Sequence, residues 1–591
     1  LKEGHTDTVK AYIDSILNLL VKKSLSLAQA VQLLAAKSDK GTPGLYWALS
    51  KGQADTVKAY MNGIFKLLKQ ESLNADQAVQ LLIAKDERGY PGLYWALSKG
   101  QADTVKAYMN GILNLLQEKP LDADQAVQLL AAKDAKGTPG LHWALTSGHK
   151  DTVKAYMDGI FKLLKQGSLS ADQAIQLLAA KDESGDPGLF FSLIEGHADT
   201  VKAYMAGILN PLREKSLDAD QAVQLLTAKD EKGYPGLFLA MCAGHSDTVK
   251  AYIDGILNLP QDKSLRTEQA VQLLAAKDNE GYPGLNMALE KGHTDTVKAY
   301  INGIFNLLKK KSLGLAQAVQ LLAAKTKIGT PGLHCALYTG HADTVKAYMD
   351  GILNLPQKKS PSEYQAVQLL TAKDERNNPG LYYALSKGHA DTVKAYMNGF
   401  LNLLQEKSLS TDQAIQLLTA KDKKGFTGLF FALYTGHADT VKAYMNGILK
   451  LLKQESLSAE QAVQLLVEKN EGDYPCLNIA IEKGHADTVK AYMNGILNLL
   501  QTKSLNADQA VPLLLAAKNG KGCPGLKTAL DKGHADTVKV YMDGILKLLK
   551  QESLSADQAD QLRAMIDEHH SLEEEEEEEY TRAPKRMRMS L

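Results

Sequence analysis

Several features that mark common classes of protein are scarce or missing in this sequence of 591 residues. The four cysteines, at positions 242, 335, 476 and 523, show neither metal-ligand spacing nor a disulfide framework, so we expect free thiols in a reducing, cytosolic compartment. Lys+Arg and Asp+Glu both number 68, so the strong basic stripe that is typical of nucleic-acid binding is missing. No apolar run is long enough to span a bilayer, and no stretch reads as a signal peptide.

Sequence signatures of catalysis are missing as well. The chain has no phosphate-cradling glycine loop, no HExxH segment and no paired-cysteine zinc site. Every candidate nucleophile or base recurs at a fixed spacing, so none is set apart with a base and an orienting group of its own. We therefore expect no enzyme activity, no cofactor and no metal within these residues.

Repetition is what the sequence has in abundance. The segment GQADTVKAYM returns in twelve copies, which begin at residues 4, 52, 100, 148, 196, 244, 292, 340, 388, 436, 484 and 533. A period of this length is typical of stacked supersecondary units that bury their apolar faces against each other. We expect one repeat array over residues 1–568, followed by a disordered acidic and basic tail over residues 569–591.

The sequence of each repeat predicts two helices, one before and one after a glycine. Leu93, Ala96 and Leu97 share one helical face and predict a short helix A, and Gly100 suits the left-handed position just past its end. A longer helix B starts near Asp103, where a carboxylate suits the free amides and the helix dipole. The apolar positions that predict helix B are Val105, Tyr108, Met109 and Ile112.

A glycine interrupts helix B in eleven copies, as at Gly111, and the first copy has Ser15 there. Because a mid-helix glycine costs about 1 kcal/mol relative to alanine, its recurrence predicts close backbone approach by a neighbouring helix. Pro211, Pro260 and Pro356 follow it in three copies, where we expect a shortened or kinked helix.

A third helix, C, is predicted by a capping box of Ser170 and Gln173, with an end near Lys181. Pro512 and one extra residue should kink helix C in one late copy, and Asp560 and Arg563 make the last C helix more polar, as a terminal cap requires. The predicted fold is all-α: an α-solenoid, or superhelix, of about twelve three-helix repeats.

The two residues after each Pro-Gly-Leu vary most between copies. With Leu45, Ala48 and Leu49 buried, both should turn away from the core. They either pack between neighbouring A helices or form an aromatic surface for a protein partner. The candidate binding residues are Tyr46, Trp47, Tyr94, Trp95, His142, Trp143, Phe190, Phe191, Phe238, Tyr382, Tyr383, Phe430 and Phe431.

A histidine follows the glycine that ends helix A in most copies, as at His149. Gln53 and Gln101 replace it in two copies, and both side chains offer a donor and an acceptor. We therefore interpret this position as a structural hydrogen-bonding site, and we assign the Asp-Thr pair behind it to helix capping.

Residues 137–145, GTPGLHWAL, followed by Gly148-His149, resemble the ankyrin repeat. The unit departs from that family because Gly140 is an extra residue, the repeat is about 15 residues longer than the family's 33, and helix C stands where the family has a β-hairpin finger. The resemblance implies that the position of Trp143 lines a concave groove. Long arrays of this kind resemble effectors that Gram-negative bacteria secrete into host cells as virulence factors.

These observations favour a monomeric scaffold that binds a host or partner protein on its concave face. One alternative is a modular nucleic-acid reader in the nucleus, with Lys585–Arg588 as a nuclear address. Another is the substrate-selecting region of an enzyme, because Leu1–His5 matches the end of the segment at 288–293 and predicts a further segment upstream.

Overall fold

The described parts of the chain form helices in a fixed order of short, long and short. The computed structural model describes residues 2–38, 41–70, 73–118, 121–214, 216–258, 267–323, 325–326, 329–353, 369–370, 374, 378–405, 410–418, 425–466, 476–515, 525–551, 554–564, 566–567 and 571. Within these residues the regular elements are helices, with isolated antiparallel bridges such as Lys85–Pro91 in the loops. The acidic and basic tail and its Lys585–Arg588 segment lie outside them.

The A helices span Gly44–Ser50, Gly92–Ser98, Gly140–Thr146, Gly188–Ile194, Gly236–Ala243, Gly284–Glu290, Gly332–Thr339, Gly380–Ser386, Gly428–Thr435, Cys476–Glu482 and Gly525–Asp531. The B helices span Thr6–Val21, Ala54–Lys69, Ala102–Gln117, Lys150–Lys165, Ala198–Arg213, Ser246–Leu257, Thr294–Lys309, Ala342–Leu353, Ala390–Gln405, Ala438–Lys453, Ala486–Gln501 and Ala535–Leu549. The C helices span Leu27–Leu34, Ala75–Ile83, Ala123–Leu130, Ala171–Leu178, Ala219–Leu226, Thr267–Leu274, Leu315–Leu322, Thr411–Leu418, Ala459–Leu466 and Ala507–Leu515.

The end of helix A is fixed by backbone hydrogen bonds around a left-handed glycine. Gly100 has φ +75°. The amide of Gly100 donates to Leu97 O at 3.2 Å, and the amide of Gln101 donates to Ala96 O at 2.9 Å. These two bonds form a Schellman motif, which confirms the predicted role of this glycine.

Helix B begins one residue before Asp103, and its N-cap residue Gln101 makes no side-chain capping bond. Asp103 lies in the first turn, where it suits the dipole, and Thr104 is buried. Assigning the Asp-Thr pair to capping was therefore wrong. The helix that contains Pro211 is not shortened, since it continues to Arg213, while Pro260 and Pro356 lie outside the described residues.

Helix C begins with the predicted capping box. Ser170 Oγ accepts from the amide of Gln173 at 3.2 Å, and Gln173 Oε1 accepts from the amide of Ser170 at 2.9 Å. The helix ends at Leu178, earlier than expected, because Ala180 takes a positive φ of 39° and its carbonyl accepts the amide of Gly188. Pro512 lies inside the nine-residue helix Ala507–Leu515.

The described chain divides into two compact units, residues 1–288 with 295–321 and residues 289–294 with 322–591. Inside each unit an A helix packs against the next A helix, a B helix against the next B helix and a C helix against the next C helix. The result is an all-helical repeat protein in which neighbours in sequence are neighbours in space. The apolar core lies between these three rows of helices.

Candidate binding face on the A helices

The first variable residue is buried in most A helices, although Tyr382 is half-buried and Lys527 is exposed. Tyr46 and Phe190 are 8% and 4% exposed, so the prediction that this position turns away from the core was wrong. The loop between helix C and the next A helix covers this first variable residue. Tyr46 donates from its hydroxyl to Asp86 Oδ2 at 3.1 Å, and His142 Nδ1 lies 3.2 Å from Ala180 O.

The second variable residue is only half-buried in most repeats. Trp47, Trp95, Phe191, Tyr383 and Phe431 are intermediate in exposure, and Trp143 is 39% exposed. This position therefore faces outward in part, as the sequence predicted.

Rings at the two variable positions also pack across the boundary between repeats. The rings of His142 and Phe191 meet edge to face at 5.2 Å between centroids, as do those of Tyr382 and Phe431 at 5.4 Å. Such geometry is favourable for aromatic pairs. Packing between neighbouring A helices is thus observed for these two pairs, while the second variable residues Phe191 and Phe431 stay half-buried.

In the first unit, the accessible rings form what we call the tryptophan row: Trp47, Trp95 and Trp143, one on each of three successive A helices. Lysines lie beside two of them. Lys2 Nζ is 5.3 Å from the Trp47 ring centroid, and Lys99 Nζ is 5.1 Å from that of Trp95. These distances permit cation–π attraction.

In the second unit, the accessible rings form what we call the tyrosine cluster: Tyr338, Tyr383, Phe431 and Tyr434. Tyr338 is 43% exposed and Tyr434 is 39% exposed. Lys387 Nζ lies 3.6 Å from the Tyr338 ring centroid, and Lys483 Nζ lies 4.0 Å from that of Tyr434.

Sequence reasoning missed Tyr338 and Tyr434 because it considered only the pair after Pro-Gly-Leu. They stand three residues after the second variable position, a spacing that places two side chains on the same helical face.

Burial makes the polar groups under this face poor acids and bases at neutral pH. Burial lowers the pKa of His142 and His334, so both imidazoles favour the neutral form. Burial also raises the pKa of the Cys335 thiol to about 12, so that this cysteine is held as an unreactive thiol.

The residue after the helix A glycine joins successive repeats. Gln101 Nε2 donates to Ser50 O at 3.0 Å, and His197 Nε2 lies 3.0 Å from Thr146 O. Both acceptors are the last residue of the preceding A helix. Since histidine and glutamine make the same contact, the interpretation of this position as a structural hydrogen-bonding site is confirmed.

No three His, Cys, Asp or Glu side chains come together to hold a metal ion in the part of the chain that the structure describes. Within those same ranges, no helix has the length and hydropathy that a membrane span requires. Comparison of the chain with models of known protein families gives no match, and comparison with curated proteins gives none either.

Proposed function

We propose that the chain consists of twelve ankyrin-like three-helix repeats. The support is that the order of A, B and C helices and the contacts between repeats recur at the 48-residue spacing of the sequence. The hydrogen bond from Gln101 to Ser50 and that from His197 to Thr146 join residues at the same separation of 51. The same interface thus serves successive repeats, as in solenoid proteins.

The function that this architecture supports best is the binding of a partner protein on the A-helix face. The observation that carries the proposal is the location of exposed aromatic rings. The strongly exposed aromatic side chains of the described residues are Tyr12, Trp143, Tyr338 and Tyr434, and the last three lie on A helices. Tryptophan and tyrosine are enriched among the residues that dominate binding energy at protein interfaces.

Variation of the amino-acid sequence between repeats also supports binding on the A-helix face. Buried contacts on the B helices use nearly the same residues in every repeat, whereas the second variable position is tryptophan, phenylalanine, leucine, methionine, cysteine, tyrosine, isoleucine or threonine. A partner that lies along the face would therefore meet a different set of side chains on each repeat, and this gives specificity.

Capture from eukaryotic cell lysate tests the proposal. We expect a protein retained by the intact chain to be lost with Trp95→Ala plus Trp143→Ala, or with Tyr338→Ala plus Tyr434→Ala. Tyr12→Ala removes an equally exposed ring from helix B and is the matched control. Helicity measured by circular dichroism should be the same for all variants.

Retention of the protein by both double variants would contradict binding on the A-helix face. Nucleic acid alone in the eluate, with a steep dependence on salt, would favour the nucleic-acid reader instead. Delivery into a host cell as a secreted effector is an inference from the ankyrin-like resemblance, and it is tested by asking whether the chain is translocated during infection.

A further inference from the structure

A groove on the B helices near the end of the repeat array contains lysines without acidic partners. It lies among the helices Ala438–Lys453, Ala486–Gln501 and Ala535–Leu549 and has a volume of about 770 Å³. Its exposed cations, which define what we call the lysine groove, are Lys442, Lys490, Lys547 and Lys550. None of the four forms an ion pair with any residue that the structure describes, although Asp439 and Asp487 also line the groove.

Two earlier lysines at the position of Lys550 have acidic partners, whereas Lys453, whose following repeat has Thr502 in place of the glutamate, forms no ion pair within the described residues. Lys69 and Lys165 stand at the position of Lys550 in their repeats. Lys69 Nζ lies 3.4 Å from Glu118 Oε2, and Lys165 Nζ lies 2.8 Å from Glu214 Oε2. In both cases the glutamate comes from the following repeat. Residues 543–591 contain no further copy of the GQADTVKAYM-type motif, and Lys550 forms no ion pair within the described residues.

The sequence after the last B helix contains a run of negatively charged residues. Glu573–Glu579 is an unbroken run of seven glutamates. In extended form seven residues span about 23 Å, which is close to the length of about 22 Å expected for the last B helix of 15 residues. The run begins six residues after Asp567, and six residues reach up to about 20 Å.

We propose that the lysine groove binds a glutamate-rich segment and that its occupant in this chain is Glu573–Glu579. A single exposed ion pair contributes little, but several lysines facing several carboxylates form a network. Attachment to the same chain adds an effective concentration on the order of millimolar. The tail thus supplies to Lys550 the carboxylate that a following repeat supplies to Lys69 and Lys165.

Carbodiimide cross-linking of the full chain, read by mass spectrometry, tests which lysines the glutamates meet. We expect Glu573–Glu579 to be joined mainly to the lysine groove. The matched controls are Lys58, Lys106, Lys162 and Lys165, which occupy the same positions in an earlier group of repeats. The cross-links should disappear at about 1 M salt, where the Debye length is roughly 3 Å. An even distribution over all eight lysines would overturn the proposal.

A second measurement uses a fluorescein-labelled heptaglutamate peptide and the full chain in which residues 573 to 579 are changed from Glu to Gln. The peptide should bind this variant at least about tenfold more tightly than the unmodified chain, where the tethered glutamates compete. Adding Lys547→Glu and Lys550→Glu to the variant should abolish binding, with circular dichroism unchanged because both side chains are exposed.

Each other outcome counts against the proposal. No binding to the glutamine variant would show that the groove does not take acidic segments. Equal binding to the variant and the unmodified chain would show that the groove takes an acidic segment of another protein and that Glu573–Glu579 is not its occupant.

Discussion

The B helices and the A helices of the same repeats differ in how much their residues vary from one repeat to the next. On the B helices a glycine of one repeat receives the side chain of the preceding repeat, and a Cβ at Gly111 or Gly207 would lie only 2.5 or 2.6 Å from Met61 or Met157 Cε. The A helices also begin with a glycine that receives a leucine of the preceding repeat, as Gly140 receives Leu97, but their two variable positions carry side chains that differ between repeats. Under the proposed function, the variable positions of the A helices serve recognition while the recurrent glycine contacts of the B helices serve stability, so one can change without the other.

The largest effect should come from filling the glycine notch of helix B. Gly303→Ala places a Cβ against Ile253, a β-branched residue that cannot move aside easily. We expect destabilisation of roughly 1–3 kcal/mol, in spite of the gain in helix propensity. Hydrogen exchange in helices Ser246–Leu257 and Thr294–Lys309 measures it. Adding Ile253→Ala should recover part of the loss, and a lack of recovery would show that the notch is not the cause.

The next effect should come from the buried tyrosine that caps helix C. Tyr108 is 1% exposed and donates from its hydroxyl to Leu82 O at 3.1 Å. Tyr108→Phe should destabilise the surrounding helices by about 1–2 kcal/mol because a buried carbonyl loses its partner. Tyr12→Phe is the control, since Tyr12 is 43% exposed, and it should change hydrogen exchange little. Equal effects of the two substitutions would contradict this account.

A smaller effect is expected at the histidine that joins successive A helices. His197→Ala removes the bond to Thr146 O and should cost about 1 kcal/mol. His197→Gln should cost much less, because Gln101 makes the equivalent bond in another repeat. Denaturant unfolding of both variants provides the measurement. If alanine and glutamine are equally destabilising, the hydrogen bond does not contribute and packing over Gly148 does.

The smallest effect on stability should come from the A-helix face. Trp143→Ala should change the free energy of unfolding by about 1 kcal/mol or less, because 39% of this side chain is exposed. Its effect on partner capture should be large by comparison. A loss of stability similar to that of Gly303→Ala would erase the distinction between the two rows of helices.

Local signals in the sequence predicted most of the helix ends. A capping box and a left-handed glycine act through the backbone of a few consecutive residues, so Ser170, Gln173 and Gly100 could be assigned from spacing. The C-terminal end of helix C was harder to predict. Ala180 adopts its positive φ where the chain turns back and the amide of Gly188 donates to the Ala180 carbonyl.

Packing between residues far apart in the sequence determines which side chains are buried, and local sequence signals did not predict this. The apolar spacing of a seven-residue helix does not reveal that a loop forty residues later covers Tyr46. The recurrent glycine of helix B did predict a close neighbour, but the neighbour is a methionine or isoleucine side chain rather than a backbone. Tyr338 and Tyr434 lie outside the pair after Pro-Gly-Leu, so the variation of that pair did not point to them.

The repeated notch of helix B also bears on how the length of such a chain can change. Met61 fits Gly111, Met109 fits Gly159, and Met157 fits Gly207. If a segment of 48 residues is deleted within this region, a methionine of the same kind meets a glycine of the same kind at the new junction. Duplication or loss of whole repeats within this region therefore preserves the methionine–glycine contact between B helices, while it changes the sequence of side chains along the A-helix face.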